Sequence, residues 1–412
     1  MNLTEHEQRM LNGAEGYPVQ KAMQILVQLG EIYGAERMIP VEKVHMPGSS
    51  VVVAGEAGTK LVEKMVASGG RFKVFTTLNT GAVDLARWRE LGYSDETHEQ
   101  QVRLTRAYQQ LGAIPCHTCT PYLIGHTPRL GEHVAWGESS AIAFVNSVMG
   151  ARTNREGGPS ALAAALTGLV PAYGYHLPEN RRGHIHVRVE AAPSGIDEYG
   201  SLGYWVGKRS ASKVPVFSGI PGNVSMDELK MLSAALASSG SVALFHVVGV
   251  TPEAPDLETA FGGREPEEIL AFDEAGKKET EASLNKHQAQ EVSLVVIGCP
   301  HASIEEIELV ARELRGKRLS PGVDLWVTVA QPVKAFAERC GFAQAIEAAG
   351  GRMVIDTCPI LSPMAQVASK KGYRAMATNS AKLAHYAPGQ WAMPTYYGSL
   401  QRCLKAAVEG VF

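Results

Sequence analysis

Residues 293–301 read "SLVVIGCPH", and residues 351–359 read "GRMVIDTCP". Each is a short apolar run that ends in a cysteine and a proline. Apolar on both faces, such runs suit strands buried in the middle of a sheet. The segments between and after these runs fix the fold. "SIEEIELVARELRG" is a helix opened by a Ser303/Glu306 capping box. "DLWVTVAQ" is a strand. "VKAFAERCGFAQAIEAAG" is helical with an expected break at Gly341. After "GRMVIDTCP" come a helix "MAQVASKKG", a strand "YRAMATNS" and a last helix "SLQRCLKAAVEG". Strand–helix alternation with apolar strands predicts a parallel, doubly wound sheet. Ligands bind beyond the carboxyl ends of such strands. The tips there are Cys299, Gln331, Cys358 and Thr378-Asn379-Ser380.

Working backward, Thr4 with Glu7 and Ser225 with Glu228 form further capping boxes. Helical patterns are expected over 59–68, 95–112, 139–149, 159–169 and 226–238. Strands are expected at "RFKVFTTLN", "HIHVRVE" and "SVALFHVVG". Residues 252–290, rich in Pro, Gly, Glu and Lys, read as a surface excursion. The division that results is an N-terminal α/β domain over 1–135, a middle α/β domain over 136–290 and a doubly wound domain over 291–412.

At 412 residues the chain exceeds one ordinary core. Its 39 basic and 42 acidic residues give a net charge of -3 with no basic block, so nucleic acid and anionic membranes are not expected partners. The polar start "MNLTEHEQRM" lacks the apolar segment of a signal peptide. A cytoplasmic location is expected. In a reducing compartment the six cysteines are core thiols, metal ligands or nucleophiles rather than disulfides.

Cys116 and Cys119 have CxxC spacing, which suggests zinc or redox chemistry. No second CxxC or HxxxH completes a zinc knuckle. Cys119, Cys299 and Cys358 stand in three separated segments, so any site they share is assembled by the fold. Iron–sulfur clusters are held by cysteine thiolates, and three protein ligands leave an iron open as a Lewis acid. There is no P-loop, HExxH or GxGxxG; "WGESSA" (136–141) only loosely matches a nucleophile elbow. Polar clusters without an evident structural need are "TTLNTG" (76–81), "TNREGGP" (153–159) before a helix, "HVVGVTPEAP" (246–255) and "TNSAK" (378–382). Free amides at a helix start beside an arginine suit a carboxylate or phosphate. His246 reads as a core histidine.

"TTLNTGAVD", "TCTPYLIGHTPRLGEHVAWGESSAIAFVNSVMGARTNREGGPSALAAALTG", "GYHL", "VVIGCPHASIEEI", "VIDTCPI" and "MATNSAKLAHYAPG" together resemble the large subunit of the aconitase X family. The resemblance covers nearly the whole chain. It implies three aconitase-like α/β/α domains around a central iron–sulfur cluster, 2Fe-2S or 4Fe-4S. It places the ligands at Cys119, Cys299 and Cys358, leaves open whether Cys116 contributes, and keeps Cys340 and Cys403 in structural roles. It implies a hydro-lyase. Arg155 with the amides of 156–158 would hold a substrate carboxylate. Glu156, Ser139 and Lys382 are further catalytic candidates. Thr77, Asn79, Asn154, Gly157, Gly158, Asn379 and Ser380 are candidates for positioning the substrate. A separate small swivelling subunit would supply a catalytic serine, making the enzyme a heteromer. The favoured reaction is dehydration of cis-3-hydroxy-L-proline to pyrroline-2-carboxylate. Dehydration of (R)-5-phosphomevalonate, or a non-catalytic zinc or cysteine scaffold, are the alternatives.

Overall fold

The computed structural model describes residues 1–287 and 291–412. The domain boundary expected at residue 290 lies outside the described residues. The expected doubly wound sheet is present. Five parallel strands lie in the order Arg352–Val354, Asp324–Thr328, Leu294–Ile297, Met376–Thr378, Thr395–Tyr397. The first strand in sequence is therefore central. The chain winds outward on one side, then returns to wind outward on the other, which makes a switch point between Leu294–Ile297 and Met376–Thr378. All four residues of Leu294–Ile297 are fully buried, as its uninterrupted apolar run requires. The Ser303/Glu306 box caps helix Ile304–Leu314. Gly341, at φ 77, separates helices Gln331–Arg339 and Phe342–Ala349.

A second parallel sheet has the order Phe75–Leu78, Lys43–Met46, Ala135–Trp136. A third has the order His246–Val247, Pro215–Ser218, Ile185–Val189, Glu268–Phe272. Met38–Pro40 pairs antiparallel with Leu169–Pro171. One apolar cluster joins the second sheet to the C-terminal one: Val44, Leu78 and Leu104 share it with Cys299, Trp326, Met376 and Leu383. Helix Gly158–Thr167 packs in this cluster, whereas Ser139–Ser147 packs in the one under the third sheet.

Two expectations fail. The expected excursion over 252–290 contains helix Leu257–Phe261, strand Glu268–Phe272 and helix Glu274–Leu284. The strand lies on a sheet edge, where Glu268 and Ile269 are exposed and only Phe272 is buried, and its short apolar run stands among charged and turn residues. Conversely, the expected strand 241–249 shortens to His246–Val247. Side chains of helix Ser139–Ser147 replace the ladder there: Asn146 donates to the Ala243 carbonyl at 2.9 Å, and Ser147 accepts from the Phe245 amide at 2.8 Å.

Candidate active site

The carboxyl ends of the Lys43–Met46 sheet and of the C-terminal doubly wound sheet border a cleft of about 350 Å³. Strand Lys43–Met46 delivers Pro47 and Gly48 to it. Phe75–Leu78 delivers Asn79 and Thr80, and Ala135–Trp136 delivers Gly137 and Glu138. From the opposite side come Cys358, beyond Arg352–Val354, and Lys382, beyond Met376–Thr378. Cys119 completes the wall from the "TCTPY" loop. Cys299 lies behind it, 3% exposed, at the tip of the central strand. Gly298 makes that tip possible: its φ is +90, and a Cβ there would stand 2.3 Å from the Thr328 carbonyl oxygen.

The three thiols form one electrostatic group. Cys299 donates a hydrogen bond to Cys358, which lowers the Cys358 pKa and, with burial, raises that of Cys299. Burial raises the Cys119 thiol, and the charges of Glu138 and Cys358 add to it. Lys382 eases ionisation of all three. Burial alone would discharge Lys382; Glu138 and the thiols more than offset it and hold the ammonium charged. Its Nζ donates to Glu138 Oε1 at 2.6 Å, Ser140 Oγ at 3.2 Å and Ser139 Oγ at 3.4 Å. Glu138 is fixed in turn as the N-cap of helix Ser139–Ser147, accepting from the Ala141 amide at 2.7 Å. Burial raises the Glu138 carboxyl, and Lys382 overcomes that to hold it ionised. Among the described residues no three His, Cys, Asp or Glu side chains converge as a preformed site for a single metal ion.

Of the other candidates from the sequence, Asn79 and Ser139 line the cleft with Lys382. Asn379 is 1% exposed at the switch point, with both amide atoms unpartnered among the described residues. Ser380 caps helix Ala381–Trp391 and orients Lys382. Thr77 lies deeper, bonded to His45 at 2.9 Å and His126 at 2.7 Å. Asn154 braces the backbone at Tyr173 and Tyr175. It lines a separate recess with Arg155. Arg155 is exposed at the surface of that recess and has no carboxylate partner among the described residues; partial burial lowers its pKa, and the nearby Tyr175 and Tyr386 phenols oppose that. The Glu156 and Gly157 amides already donate to Trp136 and Ser160, so two of the three expected anion-binding amides are engaged. Glu156 is buried, and its carboxyl is raised by burial. Gly158 lies beside Gly48 of the cleft rim. Cys116 donates to the Leu78 carbonyl at 3.2 Å. His246 has a core role, its Nε2 bonded to the Arg181 carbonyl at 2.7 Å.

Sequence reading missed Glu138 and His301. Glu138 had a signal, an acidic residue three positions before Ala141 at the start of an apolar helix, a common N-cap arrangement. His301 stands two residues after Cys299, but its partners are remote in sequence.

The fold and the cleft together define an enzyme of parallel α/β domains with buried thiols and a lysine at the active centre. Models of the first, second and third domains of aconitase X match residues 1–179, 183–282 and 292–409. The chain belongs to the aconitase X family. It is 45% identical to the phosphomevalonate dehydratase large subunit of Methanothermobacter thermautotrophicus, over 96% of each chain. It is 38% identical to the cis-3-hydroxy-L-proline dehydratase of Pseudomonas aeruginosa, over 99% of this chain and 70% of that one. The crystal structure of Thermococcus kodakaraensis aconitase X in its holo-form superposes with a TM-score of 0.89 at 38% identity, covering 99% of this chain and 100% of that one. The chain is thus a dehydratase, a hydro-lyase, and relatives named as large subunits imply a small-subunit partner.

Proposed function

We propose that this chain is the large subunit of an iron–sulfur-dependent dehydratase for a small hydroxy acid, with Cys119, Cys299 and Cys358 as cluster ligands. The observation that carries the reading is the meeting of three buried thiols from remote segments beside one cleft, with the Lys382 ammonium facing them. Thiolates are the ligands such a cluster takes, and a cation beside them favours that state. When bound, the cluster supplies a Lewis acid for the departing hydroxyl. The reaction removes that hydroxyl and a proton from the neighbouring carbon, leaving a double bond and water.

The chain's own groups have separable tasks. Glu138 keeps Lys382 charged and in place. Asn79, with its buried Oδ1, lines the cleft, and Asn379 has both amide atoms buried; all three atoms are without partners among the described residues. Arg155, in the neighbouring recess and without a carboxylate partner among the described residues, is suited to an anionic group. The proton is taken by a serine of the small swivelling subunit, a role that rests on the family resemblance.

The compact cleft and its single, already paired cation favour cis-3-hydroxy-L-proline, giving pyrroline-2-carboxylate. (R)-5-Phosphomevalonate is the second reading, favoured by the 45% identity along 96% of both chains and by Arg155. The test is anaerobic co-expression with a small subunit, assay of iron and sulfide, and turnover of both substrates. Iron-free protein that still dehydrates either one would sink the mechanism. Cys299→Ala should abolish both iron and turnover.

A further inference from the structure

His301 is 1% exposed and touches all three cysteine-bearing segments. It follows Cys299 by two residues. Its backbone N–H donates to Cys119 Sγ at 3.2 Å. Its ring Nε2 lies 2.9 Å from the carbonyl oxygen of Thr357, the residue before Cys358. Its Nδ1 lies 3.0 Å from the hydroxyl of Thr118, the residue before Cys119.

These partners fix the proton inventory. A carbonyl oxygen only accepts, so Nε2 carries the hydrogen. Thr118 Oγ1 accepts from the Thr120 amide at 3.1 Å; with the Thr120 hydroxyl, also 3.1 Å away, donating to it as well, its own hydrogen goes to Nδ1. The neutral Nε2–H tautomer therefore satisfies every atom of the ring. Neither nitrogen is left over for a metal or a substrate. On the outer side, the His301 carbonyl faces the Lys230 ammonium at 3.5 Å, and Lys230 is ion-paired with Asp227 and Glu306. The imidazole thus is almost fully buried with no free valence; its two bonds run to the segments of Cys119 and Cys358, and its own backbone carries Cys299 two residues earlier.

We propose that His301 is the positioning residue that ties the three cysteine loops into one donor set. This rests on Cys119, Cys299 and Cys358 being the cluster ligands. Each loop leaves a different place in the fold, and none holds its thiol by local geometry alone. The ring sets the spacing between Cys119 and Cys358, and the backbone bond to Cys119 Sγ tunes the charge on that sulfur. Partners of this kind govern metal retention and potential.

The test uses the full chain with its small subunit, prepared anaerobically. His301→Ala should keep a native circular-dichroism spectrum while losing iron to a chelator about 10- to 100-fold more readily, as loss of a ligand-orienting partner does. His301→Asn can still accept from Thr118, and His301→Gln can still donate to Thr357; each should restore part of the retention. Thr118→Val should fall between wild type and His301→Ala. The reduced clusters of these variants should have shifted electron paramagnetic resonance signals. Where His301→Ala does not fold, the other three variants decide. Folded variants with wild-type iron retention and unchanged spectra would overturn the proposal.

A second readout is independent of iron. In apo protein a disulfide reagent should reach Cys119 and Cys358 faster in His301→Ala than in wild type, with the exposed Cys340 unchanged as the internal reference. Equal rates would overturn the tie. Wild-type protein that takes up no iron would refute the cluster reading instead, and the thiol rates would still judge His301.

Discussion

Lys382 and Glu138 are each less than a tenth exposed, and their ion pair is buried in the cleft wall. Removing one partner leaves a bare buried charge. Lys382→Met is therefore expected to cost about 3–5 kcal/mol, read as a lower urea midpoint. Lys382→Met with Glu138→Gln should recover a large part of that stability but no turnover. A double variant as unstable as the single would show that pairing is not what the lysine provides. A second residue-scale effect concerns pH. Burial depresses His176 to about 3, with His133, Arg181 and Arg152 pushing the same way, and its Nδ1 lies 3.0 Å from that of His133. The folded state refuses a proton that the unfolded chain accepts near pH 6.5, so stability is lost as pH falls below that value toward 3. Between pH 7 and 5 this one residue should cost about 2 kcal/mol. His176→Gln should flatten the dependence of melting temperature on pH over that window; an unchanged slope would count against it.

At the scale of elements, the active centre depends on how strands end. The central strand Leu294–Ile297 stops at Gly298, whose positive φ and closeness to the Thr328 carbonyl admit no side chain. Gly298→Ala is expected to lose at least about 1–3 kcal/mol from backbone strain. It should also release iron faster than wild type, because Cys299 is the next residue. Chemical denaturation and iron retention check the two effects separately. The capping boxes at Thr4, Ser225 and Ser303 and the break at Gly341 were legible in the sequence, since each is written in four or five adjacent residues. Strand Glu268–Phe272 and the shortened His246–Val247 were not, because distant partners decided them: a sheet edge in one case, the side chains of Asn146 and Ser147 in the other.

For the whole molecule, the cleft joins parts of the chain that are far apart. Its lining comes from residues 47–139 and 358–390, none from the third sheet. A group bound by thiols from these parts is linked to their folding, so loading should raise the melting temperature above that of apo protein. Cys119→Ser should abolish the difference; an equal rise in that variant would mean iron binds elsewhere. The sequence by itself determined the doubly wound C-terminal sheet, the place of Cys299 just past its central strand and, through its motifs, the family. Those come from apolar periodicity, caps and short motifs, all local. The strand read into Cys358 ends earlier, at Val354, and a bend carries the thiol. Only the tertiary structure decided that Glu138 pairs with Lys382, that Asn379 is left unpartnered, and that His301 reaches Thr118 and Thr357. Each depends on two sheets meeting end to end, and periodicity along one chain carries no information about which buried polar groups that meeting will bring within hydrogen-bonding distance.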